Sequence, residues 1–245
     1  MKISKLLLVV ILLAMPGALS ADVITEWTFE GSVLTPSTGA GTASNVGGTS
    51  STFATGNGGG IGWNTSTYPA QGNGSGTAGV QFLASTAGYK NITIDFDHRA
   101  SGTASRWSQL QYTTDGTNWN AFGDNAGGLS PHDTFYSFNF DLSSISGVNN
   151  NPNFGIRVVS IFSPLAFNQN ASLSYGPNAA YMRANAQAVY SPNPGSGTGD
   201  YGTTGTWRFD NVKISGDQIV IPEPSALAVL GLISLAGLAI RRRGR

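Results

Sequence analysis

Residues 91–97 have the sequence Asn-Ile-Thr-Ile-Asp-Phe-Asp, and this short stretch decides the fold class. Ile92, Ile94 and Phe96 alternate with polar residues, and successive side chains of a strand point to opposite faces of a sheet. A period of two, with one apolar side, is typical of a strand that buries one face. The stretch therefore predicts a strand of an antiparallel sheet, with its two aspartates directed outward.

Similar short runs recur along the chain, separated by turn-forming residues, and none of the intervening sequence has a sustained helical period. This pattern predicts an all-β protein, an antiparallel β-sandwich. The predicted strands are Val23–Phe29, Val80–Leu83, Asn91–Asp97, Trp107–Thr113, Trp119–Phe122, Thr134–Leu142, Phe154–Phe162 and Thr206–Ile214. The stretches 35–79 and 163–205 are too long for ordinary loops and are predicted to be either decorated functional loops or poorly ordered.

The last predicted strand has a break in its pattern. Trp207 and Phe209 share one face, whereas a strict period of two would put Val212 and Ile214 on the other. One extra residue in a strand shifts this phase, so a β-bulge at Asp210-Asn211 is predicted to return the later apolar side chains to the core.

The N-terminus has the pattern of a secretory signal peptide. Lys2 and Lys5 precede an apolar run, and Ala18-Leu19-Ser20 supplies the small residues that signal peptidase requires. Residues 1–20 are therefore predicted to be removed on export. The alternative, a retained N-terminal anchor, needs a longer apolar run than this one.

The C-terminus holds a second apolar segment. Residues 225–240 are 16 uncharged residues, about 24 Å as a helix against a hydrocarbon core of about 30 Å, and they predict a short transmembrane helix. Arginines next to such a segment stay in the cytoplasm, which places the rest of the chain outside the inner membrane. These arginines are Arg241, Arg242, Arg243 and Arg245.

Pro222, Glu223 and Pro224 stand directly before this segment. The order of Pro-Glu-Pro, apolar helix and arginine cluster resembles the PEP-CTERM sorting signal. The resemblance implies an exosortase as partner, cleavage near the motif, and transfer from the inner membrane to the cell surface or the exopolysaccharide matrix. The predicted organisation is a signal peptide (1–20), a sandwich (21–218) and a sorting signal (219–245). The alternative for the tail is a permanent single-pass anchor.

The charge of residues 21–218, here called the body, excludes several functions. The body has seven Lys and Arg against twelve Asp and Glu, a net charge near −5, which argues against nucleic acid or an anionic membrane as partner. The chain has no cysteine, which excludes thiol catalysis and cysteine-ligated zinc.

Three stretches give the body its own resemblance. VITEWTFEGS (23–32), LQYTTDGTNWNAFG (110–123) and GTWRFDNVKISG (205–216) resemble exported jelly-roll domains, which are similar in outline to galactose-binding-like and laminin-G-like modules. The resemblance implies that the first and last strands pair, and that Glu30 lies near Asp210. TTDGTNW also resembles an Asp-box, but the positions of Gly116 and Trp119 depart from that motif, and a tight hairpin is sufficient to explain the stretch.

Glu30 and Asp210 are the predicted carboxylate ligands of a structural calcium ion. Calcium takes six to eight oxygens, and the neighbouring loops could supply carbonyl groups. The alternative is that Asp210 caps the bulge by accepting hydrogen bonds from backbone N–H groups.

The remaining polar residues do not specify a reaction. Asp95, Asp97, His98 and Arg99 are close in sequence, but no triad, metal motif or phosphate-binding loop accompanies them, and the histidines are predicted to be exposed loop residues. The body is therefore predicted to be non-catalytic, with a structural or adhesive role in the exopolysaccharide matrix; a glycan-active enzyme is the least favoured alternative.

A carbohydrate-binding module is the other alternative. Aromatic rings stack on sugars, and Trp63 and Tyr68 lie in a Gly-rich stretch where they could serve in this way. Packing against the sandwich is the competing interpretation for both rings.

Overall fold

Residues 21–164, 178–185 and 201–220 are described by the computed structural model, and in them two antiparallel sheets pack face to face. The strands are β1 (Asp22–Trp27), β2 (Thr42–Val46), β3 (Ser50–Thr55), β4 (Ile61–Ser66), β5 (Gly79–Leu83), β6 (Tyr89–Ala100), β7 (Ser108–Thr113), β8 (Asn120–Asp124), β9 (Phe135–Asp141), β10 (Gly155–Ser160) and β11 (Trp207–Gln218). One 3-10 turn spans Ser146–Val148. The predicted antiparallel β-sandwich is confirmed.

The strand order is that of a jelly roll. One sheet has the order β3-β4-β11-β6-β9, with β1 also paired to β11, and the other has β2-β5-β10-β7-β8. From β4 onward the pairs are nested: β4 with β11, β5 with β10, β6 with β9, and β7 with β8. Eight strands with these pairs, split between two sheets, are the jelly-roll arrangement.

Aromatic side chains fill the space between the sheets. Trp27, Trp63 and Trp207 are fully buried, and Phe82 contacts two of them, with ring centroids 5.0 Å from Trp27 and 5.8 Å from Trp63. Tilted and edge-to-face pairs of this kind add to the stabilisation from apolar burial. The chain has no cysteine, so the sandwich is stabilised by this aromatic core without any disulfide bond.

All eight predicted strands are present, with ends shifted by a few residues. The sequence missed β2, β3 and β4, which lie within the stretch 35–79. β2 and β3 are built mainly from Ser, Thr, Ala and Asn, so they lack the apolar alternation that marks a strand. β6 is also longer than predicted and continues through His98 and Arg99, which are therefore strand residues and not the start of a loop.

The predicted bulge in β11 is confirmed. The register between β11 and β6 shifts between Asp210 and Lys213, and Asn211 adopts a left-handed conformation with φ of +48°. All the apolar residues on both sides of the bulge are buried, as predicted: Trp207, Phe209, Val212 and Ile214.

The predicted pairing of the first and last strands is also observed, with Trp27 opposite Val212. The predicted signal peptide, the Pro-Glu-Pro motif and the predicted transmembrane helix of residues 225–240 lie outside the described residues. Within the described ranges, no helix has the length and apolarity that a membrane crossing requires.

Candidate functional site

The loop between β3 and β4 brings the two predicted calcium ligands close together. The backbone N–H of Ile61 donates to Glu30 Oε1 at 3.1 Å, and that of Asn57 donates to Asp210 Oδ2 at 2.7 Å. Both carboxylates therefore contact one glycine-rich loop. The end of the first strand and the bulge of the last strand meet there, as the sequence predicted.

Two glycines make this approach possible. A Cβ atom at Gly56 would lie 2.3 Å from Asp210 Oδ2, and one at Gly60 would lie 2.1 Å from Glu30 Oε1. Gly60 also has a φ of +66°, a conformation that glycine adopts without strain. Gly56 and Gly60 are thus explained by the two carboxylates that they approach, whereas Gly58 and Gly59 have open space around them and are explained by their positive φ angles.

Asp210 has the hydrogen bonds of a bulge cap. It accepts a second backbone N–H, from Asn211 at 2.8 Å. Burial raises the pKa of Asp210 despite these bonds, and the nearby carboxylates of Asp97 and Glu30 add to the increase. In the described residues, no three His, Cys, Asp or Glu side chains gather around one position. A calcium ion at Glu30 and Asp210 would therefore need carbonyl oxygens as well, and the site stays a prediction.

Asp97 is the centre of a hydrogen-bond network on the outer face of the six-stranded sheet. Its carboxylate accepts bonds from Asn57 Nδ2 at 3.0 Å, Asn211 Nδ2 at 2.8 Å and Ser137 Oγ at 2.5 Å. Burial acts to raise the pKa of Asp97, but these bonds outweigh it and the pKa is lowered. Asp97 borders a surface depression of about 470 Å³, yet it is an ionised, satisfied acceptor and not a proton donor poised for acid catalysis.

The two histidines are placed differently from one another. His98 was predicted to be exposed and is fully buried, because β6 carries it into the core against Phe209, with ring centroids 4.3 Å apart. His132 is at the surface, where its Nδ1 lies 2.6 Å from Asp133 Oδ2, and Asp133 also pairs with Arg99. Ion pairs of this kind are ordinary features of a solvent-exposed protein surface.

The two predicted sugar-stacking residues are buried. Trp63 belongs to β4 and not to a loop, and its ring is fully enclosed by Phe29 and Phe82. Tyr68 is 4% exposed, with its hydroxyl 2.6 Å from Thr65 Oγ1, and burial raises its pKa. Neither ring offers a face to solvent, so the structure supports packing, the competing interpretation, for both.

A different set of polar side chains crosses the outer face of the five-stranded sheet. Cross-strand register places Ser44 opposite Gln81, Gln81 opposite Arg157, and Arg157 opposite Gln111. These four residues, here called the polar row, lie on four neighbouring strands, β2, β5, β10 and β7. Their sequence neighbours Phe82, Ile156, Val158 and Leu110 are buried between the sheets, so the polar row points outward.

The polar row is joined to an aromatic ring. Arg157 Nε donates to Gln81 Oε1 at 2.8 Å, and its guanidinium carbon lies 3.9 Å from the ring centroid of Trp119. Gln111 Nε2 donates to the carbonyl of Gly76 at 3.0 Å. Trp119 is half-buried, whereas the other four tryptophans in the described residues are buried. The sequence missed this set. Its one local signal was Arg157, a charge in an otherwise apolar central strand.

Fold and tail together define a class of protein: a jelly-roll sandwich followed by a short C-terminal sorting signal. Residues 220–243 match the family model of the PEP-CTERM protein-sorting motif, so the resemblance of the tail is confirmed. This motif implies export and membrane-anchored sorting to the cell surface by an exosortase. No curated protein matches the chain.

Several solved structures resemble the sandwich weakly. The CBM22-1 and GH10 modules of Clostridium thermocellum xylanase 10B, complexed with xylohexaose, match with a TM-score of 0.43 and 11% identity, over 73% of this chain and 27% of theirs. The CBM22-1 xylan-binding domain of Paenibacillus barcinonensis Xyn10C matches with a TM-score of 0.40 and 12% identity, over 83% of this chain and all of that one. Likeness at this level is one of outline, and no ligand is transferred from it.

Proposed function

We propose that this chain is a surface protein that an exosortase processes at the inner membrane. Its sandwich then has a structural or adhesive, non-catalytic role in the exopolysaccharide matrix. The observation that supports this proposal is the PEP-CTERM motif at residues 220–243, which begins directly after the last strand of the sandwich.

The C-terminus of the exported protein tests this proposal. We expect mass spectrometry of the surface-released protein to show a chain that lacks Arg241–Arg245. Glu223→Ala changes the motif and leaves the apolar segment intact, so this variant should stay in the inner membrane. Ser225→Ala, one residue after the Pro-Glu-Pro triplet, is the matched control and should be released normally. Surface-released protein with an intact C-terminus would overturn the proposal.

The polar chemistry of the body supports a non-catalytic role. Asp97 is held by three side-chain hydrogen bonds, and His98 is enclosed by aromatic rings. Neither group is available to exchange a proton with a substrate.

Carbohydrate binding is the second candidate function, and the polar row with Trp119 favours it. Sugar sites combine an aromatic ring with a few amide and guanidinium groups, and this face presents all three. A glycan array probed with the full-length chain in detergent distinguishes this candidate from a purely structural role, for which no glycan should be retained.

A further inference from the structure

We infer that the polar row and Trp119 form a binding face for the interior of a neutral polysaccharide chain. This inference rests on carbohydrate binding, the second candidate function, and it specifies the residues, the ligand class and the mode of binding.

The chemistry of the face matches a polyhydroxylated ligand. Each glutamine amide both donates and accepts hydrogen bonds, as each sugar hydroxyl does. Gln81 uses its oxygen for Arg157, which leaves its NH₂ group for a ligand. Gln111 donates its NH₂ group to the Gly76 carbonyl and to Gln109 Oε1 at 3.2 Å, which leaves its oxygen as an acceptor. Arg157 commits Nε to Gln81 and keeps its two terminal nitrogens as further donors.

The length of the face indicates a chain and not a single sugar. From Ser44 to Gln111 the polar row crosses three strand spacings, or about 14 Å. β2 and β8 are the outer strands of this sheet. The row begins on β2, and Trp119 directly precedes β8, so the face extends across the sheet from edge to edge. A ligand that follows the row can continue past both edges, which suits the interior of a polymer.

Charge favours a neutral polymer. Arg157 is the charged member of the row, and its guanidinium group lies against the Trp119 ring. Cation–π contact and the bond to Gln81 hold both side chains in place before a ligand arrives, which lowers the entropy cost of binding. The body around this face has a net charge near −5, which repels polyanions.

Affinity electrophoresis tests the inference. The full-length chain is run in a polyoxyethylene detergent, which has no sugar headgroup to compete, through gels containing hydroxyethylcellulose, soluble xylan or the acidic polymer alginate. We expect at least one neutral polymer to retard the chain more strongly than alginate. Trp119→Ala and Gln81→Ala should each weaken retardation tenfold or more. Asn139→Ala, an exposed amide on the outer face of the other sheet, is the control and should bind as the wild type does.

The other possible results each test a separate part of the inference. A hexasaccharide cut from the retarding polymer should compete at least tenfold better than its monosaccharide, and equal competition would overturn binding of a chain interior. If a neutral polymer retards Trp119→Ala and Gln81→Ala as it does the wild type, and both variants melt normally, the face is wrong while carbohydrate binding stands. If alginate alone retards the wild type, the ligand class is wrong. If no polymer retards it, the second candidate function fails with the inference, whereas exosortase sorting is measured separately at the C-terminus.

Discussion

His98 is a titratable residue that is buried where nothing stabilises its protonated form. Its ring stacks on Phe209 and contacts the edge of Trp207 at 4.6 Å between centroids. Neither ring nitrogen has a hydrogen-bond partner in the described part of the chain. Burial therefore lowers the pKa of His98 from 6.5 to about 3. The imidazole is a neutral, flat core residue in the folded protein.

This environment predicts a specific loss of stability in acid. In the unfolded chain His98 takes up a proton below about pH 6.5, whereas the folded protein resists protonation down to about pH 3. The stability is therefore fully present above pH 6.5 and falls by about 1.4 kcal/mol per pH unit below it. His98→Phe removes this effect. The free energy of unfolding of this variant, relative to that of the wild type, should therefore be about 3 kcal/mol higher at pH 4 than at pH 7.

Urea unfolding at the two pH values measures this difference. Phe96→Leu alters the same core without a titratable group and should show the pH dependence of the wild type. If His98→Phe and the wild type lose stability in parallel, His98 is protonated in the folded state and the prediction is wrong.

At the scale of elements, β11 is the strand on which the six-stranded sheet depends. It pairs with β1, β4 and β6, and its bulge lies between the part that pairs with β4 and the part that pairs with β1. Asn211 occupies the bulge with φ of +48° and donates its side-chain amide to Asp97 at 2.8 Å. Asparagine tolerates this conformation better than most residues, and its side chain joins the bulge to β6.

Two substitutions at this position separate the conformation from the hydrogen bond. Asn211→Val places a β-branched residue in the left-handed region and should reduce the free energy of unfolding by about 1–3 kcal/mol beyond the loss from Asn211→Gly. Asn211→Gly keeps the backbone and loses the bond to Asp97. Chemical denaturation of both variants measures the difference, and equal losses would show that the backbone conformation at the bulge carries no cost for valine.

At the scale of the whole molecule, the fold joins the two ends of the sandwich at one place. The first strand leads to Glu30, the last strand carries Asp210, and the loop of residues 56–60 lies between the two carboxylates. Two carboxylates near each other repel, and this contributes to the raised pKa of Asp210. A cation at this junction would relieve that repulsion and link three separate parts of the chain.

We therefore predict that calcium raises the melting midpoint of the protein. An ion that binds the folded state alone stabilises it by about 2.7 kcal/mol at a free concentration 100 times its Kd. Differential scanning calorimetry in excess calcium and in EDTA measures the shift, which Asp210→Asn should abolish and Asp95→Asn, on the outer face of β6, should retain. Equal midpoints in calcium and EDTA would mean that Asp210 only caps the bulge.

The sequence by itself determined the features that depend on local pattern. Short apolar or alternating runs, of which residues 91–97 are the clearest, predicted eight of the eleven strands in the described residues, and the break in phase at Asp210-Asn211 predicted the bulge. The sorting motif is contiguous, so the order of its residues was sufficient to recognise it. Each of these signals lies in one contiguous stretch, and along a strand the side-chain direction follows directly from the position of the residue.

Only the tertiary structure decided which side chains face solvent and which lie together. Trp63 and Tyr68 are in a polar, Gly-rich stretch, yet pairing of β4 takes Trp63 into the core, and Tyr68, just after β4, is buried against Trp207. Gln81, Gln111 and Arg157 are far apart in sequence and become neighbours through the register of β5, β7 and β10. Register is set by packing of the whole sheet, and a shift of one residue would reverse every side chain. The polar row therefore exists only once the sandwich has formed.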